Sequence, residues 1–331
     1  MYQPLVSILM PLFNAEQWVE ETIRSCQSQT YSNWELIIVD DGSTDASASI
    51  VEKIASSEPR ITLLRQPNAG ACVARNLAFR HCKGNYVMYL DADDLISPDK
   101  IELQVEALSH ADPKAVAICA WEHFSDIPSA EITSRPYYQS YGNPIEFLTH
   151  MWETGGMMQP SCYLIPRQLI VTAGEWNEAL TLNQDGEFMC RVLANATSIV
   201  WTDKAIVHYR RGHASISTSN VRAYSKQRSR LDSFISYEQT LLPIADSPRL
   251  RQALARNYAL VACATGPKST LFKEAFATIK SLGLKPRHPY PSTLYGKIAN
   301  LIGLKLYLEL RSFFDKFLYA KSNQIPYTQK D

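Results

Sequence analysis

Tyr86-Val87-Met88-Tyr89-Leu90-Asp91-Ala92-Asp93-Asp94 decides the fold: an apolar run with strand character ends abruptly in carboxylates. A short apolar run bounded by polar residues reads as a strand buried on both faces. A spacing of two places Asp91 and Asp93 on one side of an extended chain. Such carboxylates repel unless a cation sits with them, and Mg²⁺ or Mn²⁺ prefers hard oxygen ligands together with phosphate oxygens. The plain structural alternative is a solvated strand end, with Asp94 or Ser97 capping the next helix and Pro98 in its first turn.

The same grammar repeats outward. Strand-like runs at 6–10, 35–39, 61–64 and 115–119 alternate with helical periodicity over 16–27, 46–56, 71–81 and 99–109. Alternation of this kind predicts an α/β fold, a mostly parallel central sheet flanked by helices. Ligands of such sheets collect at the carboxyl ends of the strands. Those ends carry Pro11-Leu12-Phe13-Asn14, Asp40-Asp41-Gly42-Ser43 and Asp91-Ala92-Asp93-Asp94. A carboxylate at the second end can accept hydrogen bonds from a nucleobase or ribose, or can simply cap a helix; capping needs one acid, and this chain has two.

Three later segments add candidates. Pro67 to Asn76 sets a glycine turn before a helix bearing Arg75, where amides and guanidinium both favour phosphate. Gln184-Asp185-Gly186 opens another helix, and an aspartate at a helix N-terminus is expected to stay ionised, as a general base requires. Val207 to Ser217 gathers His208, Arg210, Arg211 and His213, groups that could complete a metal shell or neutralise a departing diphosphate. An ordinary N-cap and a basic surface loop are the bland readings of these last two.

Composition bounds the rest. With 331 residues, 46% hydrophobic and 20% charged, the chain can bury a full core, which excludes a disordered or fibrous protein. Lys+Arg and Asp+Glu balance at 33 each, so no global basic field points to nucleic acid. From Gly266 onward, however, 11 basic residues stand against 4 acidic ones. Seven scattered cysteines without metal-ligand spacing read as reduced core residues. The N-terminus runs into a strand without a basic region and a separate apolar one, so a cytoplasmic location is expected. After Tyr224 the pattern becomes helical, which places a domain boundary near residue 220.

Taken in order, strand-Pro-x-x-Asn, Asp-Asp-Gly-Ser-Thr-Asp, Asn-x-Gly-x-x-x-Ala-Arg-Asn, Asp-Ala-Asp-Asp, an acid opening a later helix and Tyr-Arg-x-x-His-x-Ser-x-Ser resemble the family 2 inverting glycosyltransferases of the GT-A fold, over about residues 4 to 218. The resemblance implies residues 1–220 as a catalytic domain and 221–331 as a helical C-terminal extension. It implies a nucleotide-sugar donor, UDP-linked, and transfer to an acceptor hydroxyl in cell-surface polysaccharide or lipid-linked oligosaccharide synthesis. By the same resemblance Pro11, Phe13 and Asn14 would lie against the nucleotide, Asp41 would meet base or ribose, and Arg75 would sit beside uracil or diphosphate. Asp91, with Ala92, would touch the ribose and metal side; Asp93 and His213 would hold Mg²⁺ or Mn²⁺; Asp185 would be the base. Gln184, Arg210 and Arg211 are candidates for diphosphate or acceptor contact. Two departures stand out: Gln184 replaces the family's usual Glu before the base, and Gly186 replaces a common aromatic.

Residues 292–319 mix Leu, Ile, Phe and Tyr with Lys297, Lys305, Arg311 and Lys316. They fit either an amphipathic pair lying on the inner face of a membrane, near a saccharide or lipid-linked acceptor, or a helical cap on the protein itself. Two other functions stay open: a metal-dependent nucleotidyltransferase, which would carry a Gly-rich basic loop after the first strand, and a non-catalytic sugar-nucleotide binding module, which would show eroded acids.

Overall fold

The computed structural model describes residues 3–129, 131–211 and 223–322, with side chains described to 313. The chain divides into two compact units, Met1–Ser219 and Asn220–Asp331. The described strands are β1 (Val6–Leu12), β2 (Trp34–Asp40), β3 (Ile61–Arg65), β4 (Tyr86–Tyr89), β5 (Leu95–Ile96), β6 (Val116–Phe124), β7 (Tyr163–Pro166) and β8 (Ile199–Arg210). Around them lie α1 (Val19–Gln27), α2 (Ser47–Ala55), α3 (Ala71–His81), α4 (Lys100–Ser109), α5 (Pro144–Thr154), α6 (Arg167–Ala173) and α7 (Gln184–Leu193).

The strands form one sheet in the order β3-β2-β1-β4-β7-β6-β8-β5. β1 pairs in parallel with β2 and β4, β2 with β3, and β6 with β8; β7 and β5 enter antiparallel. Val6, Ile8, Leu9 and Met10 are all fully buried, so β1 reads as a continuous apolar run, not an alternating one. α3 packs on β1 and β2, and α4 on β6 and β8.

One connection shapes the whole sheet. β4 and β5 lie four places apart in strand order, about 19 Å across a flat sheet at ~4.7 Å per strand. The link between them folds into a turn, with Asp94 N–H donating to Asp91 O at 3.2 Å, which draws its ends closer than that. The sheet must therefore curl, bringing the β8–β5 edge back toward the end of β4. The Asp91–Asp94 turn sits in that fold.

The expected caps of α4 do not form. Asp99 occupies the cap position without a side-chain bond. Ser97 Oγ instead accepts from Ile206 N–H at 3.1 Å, and Asp94 Oδ1 from Arg210 N–H at 3.1 Å. Both side chains tie the acid turn to β8, because closing the curled sheet leaves β8 amides that need acceptors.

The second unit is helical: α8 (Tyr224–Leu241), α9 (Pro248–Thr265), α10 (Thr270–Ser281), α11 (Leu294–Ile302) and α12 (Leu304–Ser322). α9 packs against α8 and α10 around Leu231, Tyr237, Leu254, Tyr258, Phe272 and Ile279. Among the described residues no helix is long and apolar enough to cross a membrane. All seven cysteines are free, and six are buried.

Candidate functional site

At the carboxyl ends of β1 and β2 the two loops are laced together. Asn14, at a left-handed φ of 48°, donates its N–H to Ser43 Oγ at 3.0 Å, and its Oδ1 accepts from Thr44 N–H at 2.8 Å. Pro11 still belongs to β1, in register with Val39. Phe13, between them, is 44% exposed, an aromatic residue at the strand ends.

The doubled aspartate splits its work. Asp41 is 3% exposed, and its carboxylate accepts from Gln66 Nε2 at 2.7 Å, Ala69 N–H at 2.8 Å and Gly70 N–H at 2.9 Å. Three of about four acceptor directions are filled by the chain itself. Asp41, the candidate for base or ribose contact, clamps the Gln66–Gly70 loop that launches α3. Gly42 makes the clamp possible: at φ 75°, a Cβ there would stand 2.9 Å from Asn68 N. Asp40 is also buried, but its Oδ1 has Ser43 N–H at 3.2 Å as its hydrogen-bond donor, and its other oxygen has no partner among the described residues.

α3 then carries Arg75 inward. Rather than a surface arginine it is a buried one, 5% exposed. Its Nη2 donates to Asp91 Oδ1 at 2.7 Å, its Nη1 lies 3.9 Å from Asp185 Oδ1, and its guanidinium stands 4.5 Å over the Trp176 ring. Burial works against the arginine's charge, but Asp91 and then Asp185 outweigh it and hold it above its usual range. Its Nε and Nη1 are buried without hydrogen-bond partners among the described residues. Two donors thus remain unspent where burial makes unmade bonds costly.

Asp185, the second residue of α7, was expected to be kept ionised by the helix terminus. The structure puts the opposite pressure on it. Its side chain is 44% exposed, yet crowding by protein desolvates the carboxyl and raises it; Arg75 pulls it down and Asp91 pushes it up. Gln184 beside it turns back, Nε2 donating to Leu180 O at 2.8 Å. The aromatic neighbour absent at Gly186 comes from elsewhere: Trp176 stacks on Phe188 at 4.3 Å and meets Tyr89 edge-on at 5.0 Å. Asn76, next to Arg75, pins Trp176 by accepting from its N–H and donating to its O.

The acid turn completes the cluster. Asp94 is 1% exposed, and burial, then the charges of Asp91 and Asp93, push its carboxyl well above the ordinary range. Ala92 is buried, with its O accepting from Thr22 Oγ1. Arg210 faces this turn from behind: its Nε donates to Asp93 O at 2.9 Å, its Nη2 meets Glu21 at 2.5 Å, and Trp18 and Phe124 sandwich it. This candidate for diphosphate or acceptor contact thus braces the acid turn. Arg211 is exposed, and His213 lies outside the described residues. His208, on the same strand, has a buried Nδ1, and burial lowers its imidazole.

Sequence reasoning passed over Asn76, Trp176 and Tyr209. Tyr209 is half-buried, paired across the sheet with His123; burial, then Asp94, Asp93, Asp91 and Asp185, raise its hydroxyl, so it faces the same four acids. Its place beside Arg210 in the quoted motif was the available signal.

Residues 7–169 match the family model described as Glycosyl transferase family 2. An uncharacterized glycosyltransferase of Haemophilus influenzae is 44% identical over 106 residues, 32% of this chain and 42% of that protein. A Bacillus subtilis protein named for teichuronic acid biosynthesis, the glycosyltransferase TuaG, is 42% identical over 106 residues, again 32% of this chain and 42% of that one. The chain therefore spans less than half the length of these two relatives. Among solved structures, Staphylococcus aureus TarS 1-349 with UDP-GlcNAc superposes with a TM-score of 0.60 at 17% identity, covering 84% of this chain and 88% of that one. Mannosyltransferase PcManGT from Pyrobaculum calidifontis, with GDP-Man and Mn²⁺, gives 0.56 at 18% identity, covering 94% and 83%. These likenesses are of fold, and the fold is the GT-A glycosyltransferase fold.

Proposed function

We propose that this chain, whose residues 7–169 belong to glycosyl transferase family 2, moves a sugar from a UDP-linked donor to an acceptor hydroxyl with inversion at the anomeric carbon. The observation that carries the reading is Arg75, a buried cation set between Asp91 and Asp185 with two donors unspent. A guanidinium so placed can bind the phosphate side of a donor while holding the base close to the reacting carbon.

A divalent ion suits the same corner. Asp91 and Asp93 push the buried Asp94 carboxyl up, a surplus of negative charge that Mg²⁺ or Mn²⁺ would relieve. Asp93, with Asp91 on its ribose side, would hold the ion. No three His, Cys, Asp or Glu side chains among the described residues are grouped to hold an ion, so diphosphate oxygens and His213 would complete the shell. When bound, the ion neutralises charge developing on the leaving diphosphate.

The chain's own groups do the rest. The ring of the exposed Phe13 offers a stacking surface for the base, and Asp40 rather than Asp41 keeps an oxygen for it. Asp185 takes the proton from the acceptor hydroxyl as its oxygen bonds to the anomeric carbon and the bond to the diphosphate oxygen breaks. One displacement inverts the centre. The acceptor in this reading is a saccharide, free or lipid-linked, on the cytoplasmic side of the cell membrane, and residues 221–331 are an extension to the catalytic unit.

The test is direct. Purified full-length chain is incubated with UDP-sugars and GDP-mannose, with Mn²⁺ or Mg²⁺, and free nucleoside diphosphate is measured. Metal-dependent release abolished by EDTA is expected. Release of pyrophosphate from a nucleoside triphosphate and a sugar 1-phosphate, supplied in a parallel incubation, would instead make it a nucleotidyltransferase, and a protein that neither consumes nor is thermally stabilised by any nucleotide sugar would end the proposal.

A further inference from the structure

Large apolar side chains left in solvent are scattered in the first unit but concentrated in α11 and α12. On α11, Leu294, Ile298 and Leu301 are 70%, 40% and 85% exposed; on α12, Leu306, Leu310 and Phe313 are 48%, 43% and 67% exposed. Both sets fall at i, i+4 and i+7, one face of each helix.

The inner faces are already seated. α11 buries Gly296 and Ala299, and a Cβ at Gly296 would stand 1.9 Å from Tyr290 O, so small residues let the helix press on the chain beneath it. α12 buries Leu304 and Leu308. α11 is thus amphipathic with its apolar side outward, an arrangement that core packing does not explain and that costs solubility unless something covers it.

Charge identifies the cover. From Leu284 to Phe313 there are five Lys or Arg residues and a single acid, Glu309. That acid lies 3.7 Å from Lys305. Lys297 and Lys305 border the apolar stripe and are exposed. Protein interfaces deplete lysine, whereas lysines around an apolar helical face are what an anionic headgroup layer attracts while the apolar face enters the acyl boundary. Since no described helix is long and apolar enough to span, the mode is lying on the surface.

We propose that the outer face of α11–α12 seats the chain on a bilayer carrying anionic lipids. The assignment is independent of the sugar-transfer reading, because it concerns a surface of the second unit alone. Full-length chain is floated with vesicles of phosphatidylcholine, or of phosphatidylcholine and phosphatidylglycerol in equal parts. Flotation with the mixed vesicles, little with the zwitterionic ones, and weakening by salt are expected. The variant L294Q/L301Q/F313Q alters only exposed positions; it should keep the thermal midpoint of the parent and lose about tenfold or more in partition. Absence of flotation, or equal partition of this folded variant, overturns the proposal. So does a dimer, seen by sedimentation without vesicle binding and dissolved by the same substitutions, since a second copy would then cover the face.

Discussion

Two acid-rich strand ends, alike in sequence, behave oppositely in the structure. At the end of β2, Asp41 is surrounded by donors from its own neighbourhood and its charge is answered by two amides and Gln66. At the end of β4, Asp91 meets one arm of Arg75 and the buried Asp94 one Arg210 amide, while the charges of Asp91 and Asp93 push the Asp94 carboxyl up. The first carboxylate organises a loop; the second group stores unbalanced charge. A strand-end acid serves structure when the chain supplies its hydrogen bonds, and is available for chemistry when the chain withholds them.

Removing the base should give the largest effect. Asp185→Asn is expected to lower transfer by roughly 10²- to 10⁴-fold with an unchanged thermal midpoint, measured as nucleoside diphosphate release. In the parent, burial raises this carboxyl, so the basic form is lost as pH falls through a value above the ordinary aspartate range. The acid limb of the kcat/KM profile should sit correspondingly high, and a limb at the ordinary value would remove Asp185 from the role.

Arg75→Met strikes the contrast at its centre. It leaves Asp91 and Asp185 facing each other without their cation, at a cost of about 3 kcal/mol in stability and roughly 10²- to 10³-fold in transfer. Urea unfolding and steady-state kinetics read the two losses separately; a stable variant of unchanged rate would show that the guanidinium is a bystander.

Asp41→Ala tests the other side. Loss of three donors' acceptor should cost about 2 kcal/mol and loosen the loop before α3, raising KM for the donor while kcat holds. A collapse of kcat at unchanged stability would return Asp41 to the reaction.

The smallest effect belongs to Asp94→Asn, which keeps an oxygen for the Arg210 amide. The parent carboxyl is raised in the folded state, so the folded protein binds the extra proton: stability is greatest at low pH and declines as pH rises from the unfolded value through the folded one. The variant should lack that decline. Thermal midpoints across pH in EDTA decide it, and parallel curves would mean that Asp94 is not a source of the stored charge.

Much of this was legible beforehand. β1 to β4 and β6, and α1 to α4, announce themselves through apolar runs and 3.6-residue periodicity, and the ordered motifs point to the family whose model matches residues 7–169. β5 and β7, two and four residues long, carry too few positions for any period, and β8 hides behind Thr202, Asp203 and Lys204, where its register with β6 shifts. The Asp94 and Ser97 caps were misread for a related reason: their real partners, Arg210 and Ile206, lie more than 100 residues away.

The sequence by itself determined where the carboxylates stand, at the ends of strands whose apolar character is local and readable. Only the tertiary structure decided which of them carry unanswered charge, why Arg75 is buried between two acids, and that α11 turns its apolar side outward. Hydrogen-bond satisfaction and desolvation depend on donors brought from distant parts of the chain, and no local pattern of residues records them.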